Sequence, residues 1–322
     1  MPTPSSKAPG PACDALIREW AARPATSPRS VFANYSRGTT ASPQAIPQSP
    51  HAAHRQVGVA ERCPAEPESL QRAIDMAMAR SFVYRFLAQA YEDPTAQNWA
   101  WMSAPESQGL LRSAIRVLAM NTPSLQEAAA AFSARLKAEG FEPFLDSCLA
   151  AFGHAARGRC PLNEIEYGDL KADPLFQPHR LADLAAFYRA FGLEVANEAD
   201  ERHDHLCLEL EFLCVLAAKE AYALEHQLAP EDLSICRDAQ RGFLRDHLGR
   251  WTPAFARRLA RMAGDNTLGA LANFTRAFVE AECARHGISP GSEDLLLRPV
   301  DQAAESLCHS CSPAHLPPGA TG

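Results

Sequence analysis

The sequence predicts an all-α protein, and three observations carry that expectation. From Glu66 onward apolar residues recur at helical spacing, and no stretch shows sustained strand alternation bounded by hairpin turns. A third is the segment LCLELEFLCVLAAKEA from Leu206, which is apolar on nearly every side, as the central helix of a bundle is. The chain of 322 residues is 47% hydrophobic, enough for a sizeable core. Its formal net charge of -7, from 31 basic and 38 acidic residues, argues against a nucleic-acid backbone as ligand, because phosphate binding needs a clustered positive surface. The expected partner is basic or apolar.

The opening MPTPSSKAPG lacks the charged and apolar regions of a secretory signal. No run approaches the roughly 18 to 20 apolar residues of a membrane span. A cytoplasmic location is therefore expected. Ten cysteines lie scattered in no repeating frame, which fits reduced thiols better than disulfides.

Taken in order, residues 1–65 are rich in Pro, Ser, Ala and Thr, with Pro24, Pro28, Pro43, Pro47 and Pro50 interrupting any apolar period. They read as a disordered extension. Leu16, Ile17 and Trp20 form the one apolar patch in it, readable as a transient helix or a docking peptide. The folded domain is expected over residues 66–290.

Its first helix presents Leu70, Ile74, Ala77, Ser81 and Tyr84 on one face, with Phe82, Phe86 and Ala90 as a neighbouring stripe, and Asp93-Pro94 stops it. A helical segment follows around Leu110 to Met120. Thr122 and Pro123 make an N-cap and first-turn pair, with Ser124 and Glu127 a competing capping box, for a helix running to about Glu139. Phe141 to Ala156 reads as another. Leu181, Leu184, Tyr188 and Phe191 mark a further helix that Gly192 is placed to end as a left-handed cap. Helices are expected over about 201–226, 230–249, 252–263 and 266–286, with 291–322 a loose tail. No internal repeat marks a solenoid.

Residues 201–213, ERHDHLCLELEFL, place Asp204, His205, Glu209 and Glu211 in that oily helix, where unpaired charge is costly. Three readings stand. In the first, Glu198, Asp200, Glu201 and Asp204 favour a helix start through its dipole, and His205 pairs with Glu209 four residues on. In the second, His203, Asp204, His205 and Glu209 hold a metal, as in a metal-dependent hydrolase, although zinc helices usually place two histidines at i, i+4. In the third, Glu201, Asp204, Glu209 and Glu211 edge an apolar groove that receives an arginine-bearing segment through charge-assisted bonds.

Three pieces of the chain, in order, resemble the TorD-like chaperones, which include the DmsD and NarJ types. They are CPLNEIEYGDL at 160–170, LADLAAFYRAFGLEVA at 181–196, and the E-x-x-D-H element of Glu201, Asp204 and His205 ahead of the apolar helix. The resemblance covers about residues 70–285. It implies an all-helical cytoplasmic chaperone, monomer or dimer, without a cofactor of its own. Its implied partner is the catalytic subunit of a molybdenum enzyme of the dimethyl sulfoxide reductase superfamily. The chaperone would bind that subunit's twin-arginine signal peptide, or another segment, until the molybdopterin cofactor is inserted.

Carried over by position, the resemblance makes Glu201, Asp204 and His205 peptide-binding or hinge residues, with Tyr188 packing nearby. Glu164, Glu166 and Tyr167 become a second recognition edge, or simply cap and tether a long loop. Two positions depart from the pattern: His203 stands where the family often has proline, and Asn163 where tyrosine is common. Some relatives bind guanine nucleotide weakly, but this sequence carries no P-loop. A plain helical adaptor remains an alternative. Cys308, Cys311 and His315 form a lone CxxC with a histidine, a weak metal signal, and Cys148, His154 and Cys160 another. No nucleophile motif points to an enzyme.

Overall fold

The computed structural model describes residues 67–120, 122–153, 158–168, 176–195 and 201–298. The N-terminal extension, His154, Glu198, Asp200 and the Cys308/Cys311 tail lie outside the described residues. Within them the chain forms ten helices and one 3-10 turn. They are α1 (Pro67–Ala90), α2 (Ala96–Ser103), α3 (Pro105–Leu118), α4 (Pro123–Ala138), α5 (Phe141–Phe152), α6 (Phe176–Ala190), α7 (Leu206–Glu225), α8 (Pro230–Asp246), α9 (Leu248–Ala263) and α10 (Thr267–Arg285), with the 3-10 turn at Glu164–Glu166. The all-α expectation holds.

Several boundaries follow from local chemistry. Helix α1 ends ahead of Asp93-Pro94 as expected, and Gly192 sits at φ 73 just past α6, where a side chain would be strained. Pro123 opens α4, but Thr122 makes no side-chain cap bond. Asn266 caps α10 by accepting the Gly269 N–H at 2.9 Å. Helix α2 was not foreseen: its eight residues, AQNWAWMS, are too short to display a period, and the Thr95 side chain starts it by accepting the Asn98 N–H at 3.1 Å. The structure corrects α7 too. It begins at Leu206, not near 201, so Glu201 and Asp204 lie in the turn just ahead of the helix and not within it.

Helices α1 and α7 pack along one another at the centre, with α3 against α1, α8 against α7, and α10 against α9 and α4. Both central helices are buried almost all round, which is why neither shows a clean amphipathic stripe: Phe82, Val83, Tyr84, Phe86 and Leu87 are buried on α1, and Leu206 to Leu210 and Phe212 to Ala217 on α7. Each large apolar side chain so buried contributes about 1.5–3 kcal/mol before entropy is counted. Edge-on aromatic contacts join the layers, such as Phe86 to Phe132 at 5.9 Å and Tyr84 to Phe278 at 4.8 Å.

A buried ionic node sits inside this apolar frame. The Arg80 guanidinium donates to Glu282 Oε2 at 2.6 Å, to Glu220 Oε2 at 2.9 Å and to Gln240, and lies 3.0 Å from His286 Nε2. Tyr84 adds its hydroxyl to Glu282 at 3.0 Å. One side chain of α1 thereby fixes α7, α8 and α10.

The segment after α10 differs from expectation. Pro253 inside α9 has no N–H for the Gly249 carbonyl four residues back, and the Gly291 N–H takes that carbonyl at 2.9 Å. Residues 291–298, read from sequence as part of the loose tail, therefore run as a strap against the domain. The strap continues as Gly168 N–H to Leu296 O at 3.2 Å, Arg298 N–H to Glu166 O at 2.9 Å, and an antiparallel bridge between Tyr167 and Leu297.

Candidate functional site

The CPLNEIEYG loop and the turn before α7 form one structural unit. Leu206 N–H donates to Leu162 O at 2.8 Å, Glu164 N–H donates to Asp204 O at 2.9 Å, and Asn163 bridges His205 in antiparallel fashion. With the strap on its other side, the loop is held between two short extended pieces. A long connection with obligatory backbone hydrogen-bonding groups is thus satisfied without a sheet.

Asp204 is the central acceptor of this unit. Its carboxylate is fully buried, yet every contact is a donor: Ile165 N–H at 3.1 Å, Asn163 Nδ2 at 3.3 Å, and Arg202 through Nε at 3.0 Å and NH2 at 2.8 Å. The bidentate Arg202 pair neutralises a charge that would otherwise be costly to bury. Arg202 also reaches Glu166, with NH1 3.6 Å from Oε1.

Glu164 anchors the loop from the opposite side. Fully buried, it meets His247 Nδ1 at 2.9 Å and accepts from Arg250 Nε at 3.2 Å and NH2 at 3.0 Å, while Arg180 NH1 lies 3.5 Å away. His247 Nε2 is 3.3 Å from Asp183 Oδ2 on α6, so the buried ring lies between two carboxylates. Burial alone would hold its pKa down, but the Asp183 and Glu164 carboxylates on either side of the ring outweigh burial and push it up. Tyr167 packs at a tilt against Trp251, ring centroids 5.2 Å apart, and donates its hydroxyl to Pro161 O at 2.9 Å. Cys160, beside that hydroxyl, is pushed up to about 11 by burial and stays a thiol.

Glu209 behaves differently from its neighbours. It is buried on α7, accepts from Trp251 Nε1 at 3.0 Å through one oxygen, and its other oxygen has no partner. Burial, then repulsion from Glu164, drives its pKa well above the usual carboxyl range, which favours the uncharged acid.

The residues picked out in the sequence therefore separate into two groups. Asp204, Glu209, Glu164, Tyr167 and Tyr188 are buried, so the expected single groove edge of Glu201, Asp204, Glu209 and Glu211 is not assembled; a core helix cannot leave Glu209 at the surface. Glu201, His205, Glu166 and Glu211 are half-buried. Tyr188 does pack nearby, donating its hydroxyl to His203 O at 2.8 Å and stacking near the His203 ring at 6.2 Å. The expected His205–Glu209 pair is replaced. His205 is the N-cap of α7, its Nδ1 accepting the Cys207 N–H at 3.4 Å, and burial lowers its pKa. His203, Asp204, His205 and Glu209 each face a different partner, so the hydrolase cluster does not assemble. Cys148 and Cys160 are both buried free thiols.

Sequence reasoning missed Arg202, His247, Arg250 and Trp251. The last three recur at i, i+3, i+4 from the start of α9, a spacing that puts them on one face, and Arg202 sits inside the acidic element itself.

Among the described residues, the polar side chains picked out in the sequence lock a loop to the helices around it. Comparison with known proteins identifies the family. Residues 119–257 match the family model for the nitrate reductase delta subunit. The perchlorate reductase assembly chaperone protein of Dechloromonas aromatica is 30% identical over 217 residues, covering 66% of this chain and 92% of that protein. The selenate reductase assembly chaperone protein of Thauera selenatis is 36% identical over 107 residues (33% of this chain, 53% of that protein). The chaperone protein TorD of Vibrio cholerae is 34% identical over 93 residues (29% of this chain, 40% of that protein). No solved structure matches. The chain belongs to the TorD-like chaperone family.

Proposed function

We propose that this protein is a system-specific assembly chaperone. It binds the signal peptide or another segment of a molybdopterin-dependent oxidoreductase subunit and assists cofactor insertion before export or assembly. The observation that carries this reading is the extent of the likeness to the perchlorate reductase assembly chaperone, which runs through 92% of that protein. The client is the catalytic subunit of a molybdenum enzyme of the dimethyl sulfoxide reductase superfamily, and the encounter takes place in the cytoplasm. No helix among the described residues is long and apolar enough to cross a membrane.

The client-binding surface centres on the turn before α7 and the loop it holds. Glu201, His205, Glu166 and Glu211 supply its accessible polar atoms, while Asp204, Glu164, Glu209, Tyr167 and Tyr188 hold it in shape. Carboxylates at the rim favour a basic client segment, and apolar burial supplies affinity. The chain acts by binding, with no reaction step.

A tagged pull-down from native cytoplasm at low salt, with co-purifying proteins identified by mass, tests this. The expected result is one large molybdenum-enzyme subunit, lost on Asp204→Ala. Its absence from cells that express such a subunit would refute the reading.

A further inference from the structure

The acidic element already holds an arginine. Arg202, in one of the unspecified positions of E-x-x-D-H, lays its guanidinium bidentate on the Asp204 carboxylate and extends to Glu166. We propose that Arg202 is an internal placeholder for the client: it occupies the arginine subsite of the empty chaperone, and an arginine of the bound segment displaces it. The inference rests on the client-binding reading above and adds how that site is kept closed until a client arrives.

Four features support the exchange. First, the two partners differ in accessibility: the Asp204 side chain is 0% exposed and the Arg202 side chain 44%, so the guanidinium forms the solvent-facing cover of a buried carboxylate. Swinging it away needs rotation of a long surface side chain and no backbone movement. Second, the carboxylate stays seated without it. Oδ2 keeps the Ile165 N–H and Oδ1 keeps Asn163 Nδ2, so the loop is not released when Arg202 leaves.

Third, the contact is of the kind only a guanidinium makes. Nε and NH2 engage the two oxygens in parallel, a fork that a lysine ammonium cannot reproduce. Fourth, the local balance is acidic. Glu166 lies beside the guanidinium as well as Asp204, so two carboxylates meet the one Arg202 cation. A segment with two adjacent arginines would match that excess, one taking the Asp204 fork and the other Glu166. Because an occupied subsite lowers apparent affinity by the fraction of time it is free, Arg202 also sets a threshold against weak, singly charged peptides.

The test is fluorescence anisotropy on the full chain with two labelled synthetic peptides, one bearing Arg-Arg and one Lys-Lys ahead of the same apolar run. Wild type is compared with Arg202→Gln, Arg202→Lys and Asp204→Asn, and folding of each is checked by circular dichroism. Arg202→Gln should bind the Arg-Arg peptide roughly three- to tenfold tighter than wild type. Arg202→Lys should fall between them, and Asp204→Asn should lose the preference for Arg-Arg over Lys-Lys. Should Arg202→Gln fail to fold, Arg202→Lys alone decides, because it retains charge and loses the fork. Unchanged or weaker binding by a folded Arg202 variant overturns the placeholder; if wild type still prefers Arg-Arg and Asp204→Asn does not, the client-binding site survives that result. If wild type and all variants bind neither peptide, the site reading and the placeholder fall together.

Discussion

Gly291 donates its N–H to the Gly249 carbonyl at 2.9 Å, the carbonyl that Pro253 leaves without a helical donor. A break in the helix ladder of α9 thus becomes the docking point of the strap that covers the Glu164–Tyr167 loop.

Gly291 has no room for a side chain: a Cβ there would lie 1.9 Å from the Arg250 carbonyl oxygen. Gly291→Ala should destabilise the protein by about 1–3 kcal/mol, measured by urea unfolding. It should also speed hydrogen exchange at the Gly168 and Arg298 amides, which bond across the strap. Unchanged exchange there would mean that the strap is held by something other than this contact.

Asp204→Ala removes the acceptor for Ile165 N–H, Asn163 and Arg202 together. Because Arg202 can return to water, the loss should be about 1–3 kcal/mol, below the figure for an enclosed pair. The loop should loosen while the bundle stays folded. Protease cutting within 158–168, with unchanged helical circular dichroism, is the expected readout.

Glu209→Gln should flatten the pH dependence of stability. The buried carboxyl has its folded pKa raised, so its contribution is fully present below the unfolded carboxyl value and is lost as pH rises towards the folded one. Glutamine keeps an acceptor for Trp251 Nε1 and cannot ionise. At neutral and alkaline pH the variant should melt at the same temperature as wild type or higher, and a lower melting temperature across that range would contradict a raised Glu209 pKa.

Arg80→Ala should be the most damaging of these changes, by roughly 3–5 kcal/mol, since it strands the buried Glu282 and Glu220 carboxylates. Burial pushes both carboxyls up, but Arg80 and its fellow donors outweigh burial and hold them below the ordinary range. Their stabilisation is present above the unfolded carboxyl pKa and lost as pH falls through the folded one. Wild type should therefore lose stability in acid. In the variant the acid limb should weaken or reverse, as read from denaturation midpoints against pH.

The helices were legible because their signals are local. Pro123, the Asp93-Pro94 stop and the Gly192 cap act within a turn of chain, and a helix apolar on all sides, such as 206–217, has nowhere to go but the centre. The E-x-x-D-H element and the CPLNEIEYG loop were likewise visible as separate pieces. Helix α2 was missed because eight residues carry no period, and the true start of α7 was missed because Glu201 and Asp204 suit a helix N-terminus as well as the turn they occupy.

By itself, then, the sequence determined the all-α class, most helix ends, the central place of α7 and the family. It did not determine what the acids touch. Arg80 meets Glu282 across 202 positions, Glu164 meets His247 across 83, and Asp204, in the turn ahead of α7, meets Ile165 and Arg202. Helical periodicity states which face of a helix is buried but not which helix it is buried against. Only the packing of α1, α7, α9 and α10 brings those charges within bonding distance, and that is what turned an expected groove edge into a locked loop with an arginine on its cover.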